Sequence, residues 1–266
     1  KAVNRREDVR EEQLRIALEK ARKEDASAEQ KELVRGVEST QGGVVIRVPY
    51  KMLCWLIDTL FVDRPIQRFW FLENVARMPY LSYNTMLALY EVLGWWRVSS
   101  DARRVHFAEE WNEVQHLKIL EALGGDSSWV DRFLGRHAAL FYLVIMNHIW
   151  LLSPSFAYNF SELIEFHALD TYGEFVDANE ELLRRLPPPQ EALDYFCSPD
   201  MYIFDEFQTG REPRTRRPKI ESLYDVFCNI RDDELEHVKT MYQCQTNASP
   251  IVSPNAVAAN NAMKKS

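Results

Sequence analysis

The pattern of apolar and polar positions along the chain predicts a protein built from long helices. Apolar residues are mixed with Glu and Arg over long stretches that hold few β-branched runs, and the whole chain has only 9 glycines, which favours helix over strand. Five or six long helices are expected, and their stop signals place five of them, at about 65–94, 101–123, 128–152, 155–186 and 220–243. Pro79 lies inside the first of these and is expected to kink it. The predicted fold class is all-α.

The two ends of the chain differ from this helical middle. Residues 1–42 are dense in charges of both signs and predict a solvated extension. Residues 246–266 are rich in Asn, Ala, Ser and Pro and predict a flexible tail. The functional domain is therefore expected at residues 43–245. The first residue is Lys and no signal peptide is visible, so a processed or truncated product is expected.

Two stretches are unusually apolar for a helical bundle in water. Residues 138–152 carry no formal charge, and residues 78–96 carry a single acid, Glu91. Both are too short or too polar to span a bilayer, which needs about 20 apolar residues. They contain residue types common at membrane interfaces, namely Trp95, Trp96, Tyr142 and Trp150. These features favour helices that lie in one leaflet; the alternative is that both stretches are core helices of the bundle.

Composition restricts the partners and the redox chemistry of the chain. The formal net charge of −8 argues against nucleic acid as the main partner. The cysteines form no C-x-x-C pair and are expected to be free, mostly buried thiols: Cys54, Cys197, Cys228 and Cys244. An apolar content of 46% is sufficient for one sizeable core.

One motif occurs twice, as Glu113-Val-Gln-His116 and as Glu234-Leu-Glu-His237. Both copies read Glu-x-x-His, and residues three apart on a helix project from the same face, where they can bind one ion. A single copy is common on a solvated helix, but here two of only 6 histidines follow a Glu at this spacing. Ferritin-like di-iron bundles combine two such pairs with one Glu from each of two further helices.

Two other glutamates could complete such a ligand set. Glu73 lies in an apolar and aromatic run, where an unpaired buried carboxylate would be costly; the alternative to a metal partner is a salt bridge to Arg68 or Arg77. Glu165 is the second candidate, with Glu162 one turn earlier as its competitor. Four carboxylates and two imidazoles suit iron or manganese.

At these motifs the chain resembles the alternative oxidase family of membrane-bound di-iron quinol oxidases, over about residues 44–245. The resemblance is carried by Leu72–Pro79, Asn112–Leu117, Glu165 with Tyr172 seven residues later, and Arg231–His237. Within the family the chain is most similar to the plastid terminal oxidase branch, because mitochondrial members lack the segment Asp200–Pro218. One departure is Phe166-His167, where mitochondrial members have two acids.

The resemblance implies a role for individual positions. It selects Glu165 over Glu162 and makes six residues the iron ligands: Glu73, Glu113, His116, Glu165, Glu234 and His237. It implies that Tyr172 takes part in catalysis by donating an electron and a proton, and that Arg68 lies near a quinol pocket. Asn112 and Asp233 each precede a Glu-x-x-His glutamate and are expected to hold the histidines by hydrogen bonds.

The resemblance also implies an activity and its setting. It predicts a membrane-associated oxidase that couples quinol oxidation, with plastoquinol expected, to the four-electron reduction of O2 to water at two iron ions, without proton pumping. It further implies a homodimer on one leaflet of the plastid thylakoid membrane. The residues alone indicate only a di-iron bundle with an apolar surface. The alternatives are another di-iron enzyme, of the desaturase or hydroxylase type with a separate reductase, and a non-catalytic helical protein.

Overall fold

A computed structural model describes residues 44–94, 100–198, 203 and 218–246, and within these ranges every regular element is helical. The helices are α1 (Val44–Leu60), α2 (Pro65–Leu93), α3 (Ser100–Ala122), α4 (Trp129–Leu152), α5 (Pro154–Leu183), α6 (Gln190–Phe196) and α7 (Leu223–Thr246). The all-α prediction is confirmed, and the five placed helices differ from α2, α3, α4, α5 and α7 by at most three residues at either end. The predicted extension and tail lie outside these ranges, apart from Thr246, which ends α7.

Local signals explain where the long helices begin and end. Pro65 occupies the first turn of α2, and Gly94 ends that helix with a left-handed φ of 70°, a conformation that favours glycine. Ser128 and Ser153 cap the N-termini of α4 and α5 through their side-chain oxygens. Pro79 lies inside α2, and the helix continues past it to Leu93.

The bundle is organised as two closely packed helix pairs. Helix α5 packs along α7, and α2 packs along α3 and also along α4. Gly125 permits the close approach at the end of α3, because a Cβ there would lie only 2.5 Å from Cβ of Trp70. Each pair carries one of the two isolated candidate glutamates and one Glu-x-x-His motif, so both pairs contribute equally to a site between them.

The buried apolar side chains form two clusters. One surrounds Phe69, Tyr172 and Phe227, and the other surrounds Tyr80 and Tyr158. Both clusters contact the candidate metal ligands, as the hydrogen bonds described below show. The four cysteines are free, as predicted; Cys197 is exposed and the other three are only partly buried.

The two apolar stretches have different positions in the fold. Residues 138–152 belong to α4, which exposes large apolar side chains such as Leu140 and Phe141. The interfacial prediction is wrong for the first part of residues 78–94, since Met78, Tyr80, Tyr83, Met86 and Leu87 are buried in the core where α2 is covered by α3 and α4. The end of α2 exposes Leu89, Val92 and Leu93. The interfacial prediction is also wrong for Tyr142 and Trp150, which are buried.

Helix α1, which the sequence did not single out, presents a second apolar surface. It exposes Met52, Trp55, Leu56 and Leu60. Trp95 and Trp96 lie outside the described residues. None of the helices in the described ranges has the length and apolar character needed to cross a membrane.

Candidate metal centre

The structure brings together the six predicted ligand residues in the interior of the bundle. They form two groups, Glu73, Glu113, His116 and Glu234 in one, and Glu113, Glu165, Glu234 and His237 in the other. Within each group the ligand atoms lie within 4.8 Å of one another, and all six side chains are buried. Helices α2, α3, α5 and α7 each contribute, so four helices converge on one site.

Glu113 and Glu234 belong to both groups. Each therefore has the position of a carboxylate that bridges two ions, while the other four residues would each bind one ion. One ion would take Glu73 and His116, and the other would take Glu165 and His237. This is the arrangement of a di-iron or di-manganese carboxylate centre.

The donor atoms of the site lack the partners that buried polar atoms normally have. Among the described residues no hydrogen bond reaches Oε2 of Glu73, Nδ1 of His116, Oε2 of Glu165, Oε1 of Glu234 or either oxygen of Glu113. Buried polar groups without partners are rare because they cost free energy. Their convergence on common points fits metal binding, and the charge of four carboxylates is one that two divalent cations would balance.

The histidine of α3 is oriented by a residue of α7. Nε2 of His116 lies 3.0 Å from Oδ2 of Asp233, and a carboxylate only accepts hydrogen bonds, so Nε2 carries the proton. When the ring is neutral, as metal binding requires, the lone pair is on Nδ1, which faces Oε2 of Glu73 at 3.5 Å and Oε1 of Glu234 at 3.3 Å. Asp233 thus fixes the tautomer that a metal needs.

The amide of Asn112 belongs to the same hydrogen-bond network. Its Nδ2 donates to Oδ2 of Asp233 at 3.0 Å and to the hydroxyl of Tyr195 at 2.7 Å. The structure therefore places both residues that were predicted to support the histidines beside the centre. Tyr195 and Phe196 are buried on α6. Most of the segment Asp200–Pro218 that follows them lies outside the described residues.

His237 has an equivalent position on the other side of the site. Its Nδ1 lies 2.8 Å from Oε1 of Glu113, 3.5 Å from Oε2 of Glu234 and 3.9 Å from Oε2 of Glu165. The two imidazole rings are 6.5 Å apart between centroids. The carboxylate of Glu234 lies near Nδ1 of both rings.

The electrostatics of the cluster reflect the crowding of buried acids. Burial and the nearby Glu234 carboxylate raise the pKa of Glu113 and of Glu165 well above its ordinary value. Burial also acts to raise the pKa of Glu234, but the adjacent imidazoles of His116 and His237 outweigh it and lower that pKa. Burial lowers the pKa of His116, yet the Glu73 and Glu234 carboxylates raise it to about 9. Positively charged partners would therefore stabilise the buried carboxylates of this site.

The structure also decides the two alternatives that the sequence left open. Arg68 pairs with Asp58, and Arg77 donates to Asn74, so neither arginine forms the salt bridge considered for Glu73. Glu162 accepts a hydrogen bond from Gln245 and lies outside both metal-binding groups. Glu73 and Glu165 are therefore the glutamates that face the centre.

Tyr172, the predicted catalytic tyrosine, contacts the site directly. Its hydroxyl donates a hydrogen bond to Oε1 of Glu73, and the side chain is fully buried. The ring stacks on Phe69 with centroids 4.1 Å apart. Burial raises the pKa of Tyr172 well above its ordinary value, so the phenol is neutral.

A second tyrosine, Tyr80, was missed by the sequence analysis. Its hydroxyl donates to Oε1 of Glu165 at 2.9 Å, which mirrors the contact between Tyr172 and Glu73. The sequence contains a signal for it, because Tyr80 follows Glu73 by seven residues as Tyr172 follows Glu165. Two helical turns separate each pair, and each tyrosine reaches the glutamate of the other helix.

Arg68 lies in a partly buried polar group next to Tyr172. Its Nη2 lies 2.7 Å from Oδ1 of Asp58, and 3.4 Å from both Oγ1 of Thr171 and Nε2 of His167. The edge of the His167 ring packs against Tyr50 of α1. His167 is one of the two residues at which the chain departs from the mitochondrial pattern, and it belongs to the Arg68 group.

Comparisons with known proteins agree with this geometry. The family model described as alternative oxidase matches residues 24–246. The Arabidopsis thaliana protein "Ubiquinol oxidase 4, chloroplastic/chromoplastic" is 52% identical over 202 residues, which cover 76% of this chain and 57% of that protein. The chain thus spans little more than half the length of this relative. By the extent of the match, the chain belongs to the alternative oxidase family.

Proposed function

We propose that the protein is a membrane-associated di-iron oxidase that couples quinol oxidation to the reduction of O2 to water, without proton pumping. The observation that carries this proposal is the buried set of six converging ligands, in which Glu113 and Glu234 belong to both metal-binding groups. Membership of the alternative oxidase family supports quinol as the electron donor and O2 as the acceptor.

Two iron ions would be held by Glu73 and His116 on one side and by Glu165 and His237 on the other, with Glu113 and Glu234 shared. When bound, the iron pair supplies the electron storage that O2 reduction requires. The protein contributes orientation, since Asp233 holds His116 in the metal-binding tautomer. The apolar clusters on either side exclude water from the centre.

Tyr172 would handle protons and electrons at the Glu73 side of the centre. A quinol releases two electrons and two protons, whereas reduction of O2 to water consumes four of each. The hydroxyl of Tyr172 already donates to Glu73, so a proton and an electron can leave this phenol toward the centre. The stacked Phe69 ring keeps the tyrosine in that orientation.

The Arg68 group is the proposed site of the quinol head group. Arg68 is a partly buried cation, and guanidinium donors suit the oxygens of a quinone or quinol. Its neighbour Thr171 directly precedes Tyr172 in the sequence, so a head group bound here would lie close to the tyrosine that contacts Glu73. Plastoquinol is the expected substrate, because the similar Arabidopsis protein is named chloroplastic/chromoplastic.

The exposed apolar side chains of α1 and α4 are the proposed membrane contacts. Trp55 and Phe141 are each 68% exposed, and side chains of this kind insert into the boundary between lipid head groups and acyl chains. A quinol dissolved in lipid needs such an enzyme, and α1 also packs on α5, which carries His167 and Thr171. A homodimer on one leaflet of the thylakoid membrane remains the expectation from the family resemblance.

Oxygen uptake tests the activity directly. Purified protein, loaded with iron under anaerobic conditions, is given decylplastoquinol and O2 without any reductase. The expected result is quinol-dependent O2 consumption, with two quinols oxidised for each O2 and no hydrogen peroxide. Oxygen uptake that requires an added reductase would support the desaturase or hydroxylase alternative. Protein that holds two irons and oxidises no quinol would contradict the proposal.

Binding to vesicles tests the membrane contact. Trp55→Glu and Phe141→Glu are each expected to weaken binding to thylakoid-lipid vesicles, because a charge replaces an inserted apolar side chain. Leu182→Glu is the matched control, since Leu182 is also exposed but lies at the end of α5 and belongs to neither helix of the proposed contact. Binding should resist high salt, which does not screen apolar burial. Equal binding by all three variants, or release by salt alone, would contradict the contact.

A further inference from the structure

A second buried polar group lies near the metal centre without belonging to it. It consists of Tyr158 on α5 and His106 and Glu109 on α3, and all three side chains are buried. Nε2 of His106 lies 2.9 Å from the hydroxyl of Tyr158, and Nδ1 lies 3.2 Å from Oε2 of Glu109. Burying a phenol, an imidazole and a carboxylate is costly, and none of them is in either metal-binding group.

The chemistry of the three groups fixes the direction of the hydrogen bonds. A carboxylate only accepts, so Nδ1 of His106 donates to Glu109. In the neutral imidazole Nε2 is then the acceptor, and the Tyr158 hydroxyl is its donor. The phenol proton therefore already points at a base, and the carboxylate behind that base would stabilise the imidazolium that forms on proton transfer.

A chain of aromatic rings connects this group to the metal centre. The rings of Tyr158 and Tyr83 are 4.6 Å apart between centroids, and those of Tyr83 and Tyr80 are 6.3 Å apart. Tyr80 in turn donates to Oε1 of Glu165 at 2.9 Å. Tyr158 precedes Glu165 by seven residues on α5, about 10 Å along a helix axis.

We propose that Tyr158 is a redox-active tyrosine that supplies an electron to the metal centre through Tyr83 and Tyr80, while His106 takes its proton. The inference rests on the proposed function, because the oxidant is the metal centre after reaction with O2. The O–H bond of Tyr158 breaks, the proton goes to Nε2 of His106, and one electron reduces the centre. A neutral tyrosyl radical remains. The next quinol would supply two electrons: one goes to the centre, and the other, with the proton held by His106, restores the phenol.

Tyr158 differs from Tyr83 in having a base beside its hydroxyl. The Tyr83 hydroxyl contacts Oγ of Ser161 and the carbonyl of Ala157, and neither group is a proton acceptor of useful strength. Burial raises the pKa of Tyr83 and of Tyr158 well above its ordinary value. Since the phenolate is inaccessible, the proton must leave together with the electron, and Tyr158 is the one of the two with an imidazole to receive it.

An internal electron donor is consistent with the number of electrons that the reaction requires. A quinol brings two electrons, whereas O2 needs four, so a centre that has reacted with O2 is two electrons short while the quinol site is empty. Tyr158 could supply the first of these two electrons before the next quinol arrives. It would do so from the Glu165 side of the centre, independently of Tyr172 on the Glu73 side.

Radical detection tests the proposal without relying on turnover. Iron-loaded protein is reduced stoichiometrically with dithionite, mixed with O2 in the absence of quinol, freeze-quenched and examined by EPR. The wild type is expected to give a tyrosyl signal that narrows when the protein contains deuterated tyrosine. Tyr158→Phe should lose the signal, and so should His106→Gln, which removes the base. Iron content, measured on every sample, identifies any variant that fails to fold.

Tyr142→Phe is the matched control, because Tyr142 is also buried and the described residues place no imidazole at its hydroxyl. This variant should keep the signal and the activity. A signal that persists in Tyr158→Phe, that disappears only in Tyr172→Phe, or that never forms in a wild type that consumes O2 would overturn the proposal. A wild type that shows the Tyr158 signal but oxidises no quinol would instead overturn the proposed function.

Discussion

Tyr172 and Tyr80 occupy equivalent positions on the two sides of the metal centre. Each follows a candidate ligand by seven residues on its own helix and donates a hydrogen bond to the candidate ligand of the other helix. Their surroundings differ. Tyr172 is enclosed by the phenylalanine rings of Phe69 and Phe227, whereas Tyr80 adjoins Tyr83 and His106.

The difference shows that the same local geometry can occur in two different surroundings. Spacing along the helix determines which carboxylate each tyrosine reaches, but the helices packed around it determine where an electron or a proton can go next. Tyr172 has the Arg68 group on its outer side, through Thr171, and its hydroxyl donates to the candidate ligand Glu73 rather than to an imidazole. Tyr80 leads through Tyr83 to a tyrosine that has a histidine as its base. We infer that the first faces the substrate and the second faces an internal electron donor.

Removal of a shared ligand should have the largest effect, because it disrupts both metal-binding groups at once. Glu113→Ala is expected to abolish iron binding and quinol oxidation, since Glu113 belongs to both metal-binding groups; His237→Ala should also abolish activity. Anaerobic iron analysis and O2 uptake check this. Glu110→Ala is the control on the same helix, as Glu110 lies outside both groups. Full quinol oxidation by Glu113→Ala with normal iron content would remove Glu113 from the ligand set.

The two tyrosines should respond differently to loss of their hydroxyls. Tyr172→Phe is expected to keep the fold and the iron but to lose most of the turnover, because the ring and its packing remain while the phenolic proton and redox function are lost. Tyr80→Phe should lose the Tyr158 radical and retain more turnover than Tyr172→Phe when quinol is in excess. Steady-state O2 uptake and EPR on both variants provide the comparison. Equal losses in both assays would show that the two sides are functionally equivalent.

Asp233→Asn should have an intermediate effect. The amide can no longer enforce the His116 tautomer with its lone pair on Nδ1, and loss of such a supporting hydrogen bond typically weakens metal affinity by about 10- to 100-fold. Competition with an iron chelator measures this change. Asp232→Asn is the adjacent control, because Asp232 pairs with Arg231. Unchanged affinity in Asp233→Asn would mean that this carboxylate does not orient His116.

Tyr83→Phe should have the smallest effect. It should lower the stability of the fold and leave the metal site unchanged. The ring that links Tyr80 to Tyr158 remains, and only the hydrogen bonds to Ser161 and Ala157 are lost. The expected decrease in the free energy of unfolding is about 1 kcal/mol, measured by denaturant titration. A loss of iron from this variant would show that the Tyr83 hydroxyl supports the centre.

Much of the centre could be predicted because its signals are short-range. Glu-x-x-His identifies two ligands on one helix face, and a glutamate in an apolar run, as at Glu73, is unusual enough to mark a third. Glu165 could not be separated from Glu162 by spacing alone, because both lie on the buried part of α5. That choice needed the family resemblance, and the packing of α7 against α5 then supplied the physical reason.

Long-range relations could not be predicted in the same way. Tyr158 and His106 are 52 residues apart, and nothing local in either helix indicates that they meet. The sequence leaves the position of the apolar run of residues 78–96 open, because a helix that is apolar on most sides fits both a membrane and a protein core. Only the packing of α3 and α4 around α2 distinguishes the two.

The stoichiometry of iron binding tests the central claim most directly. Purified wild-type protein, freed of metal and titrated with iron(II) under anaerobic conditions, is expected to saturate at two irons per chain, because the two buried groups share Glu113 and Glu234 and each offers a histidine of its own. Saturation at a single iron, or no binding above that of the Glu113→Ala variant, would contradict the di-iron centre and the oxidase proposed from it.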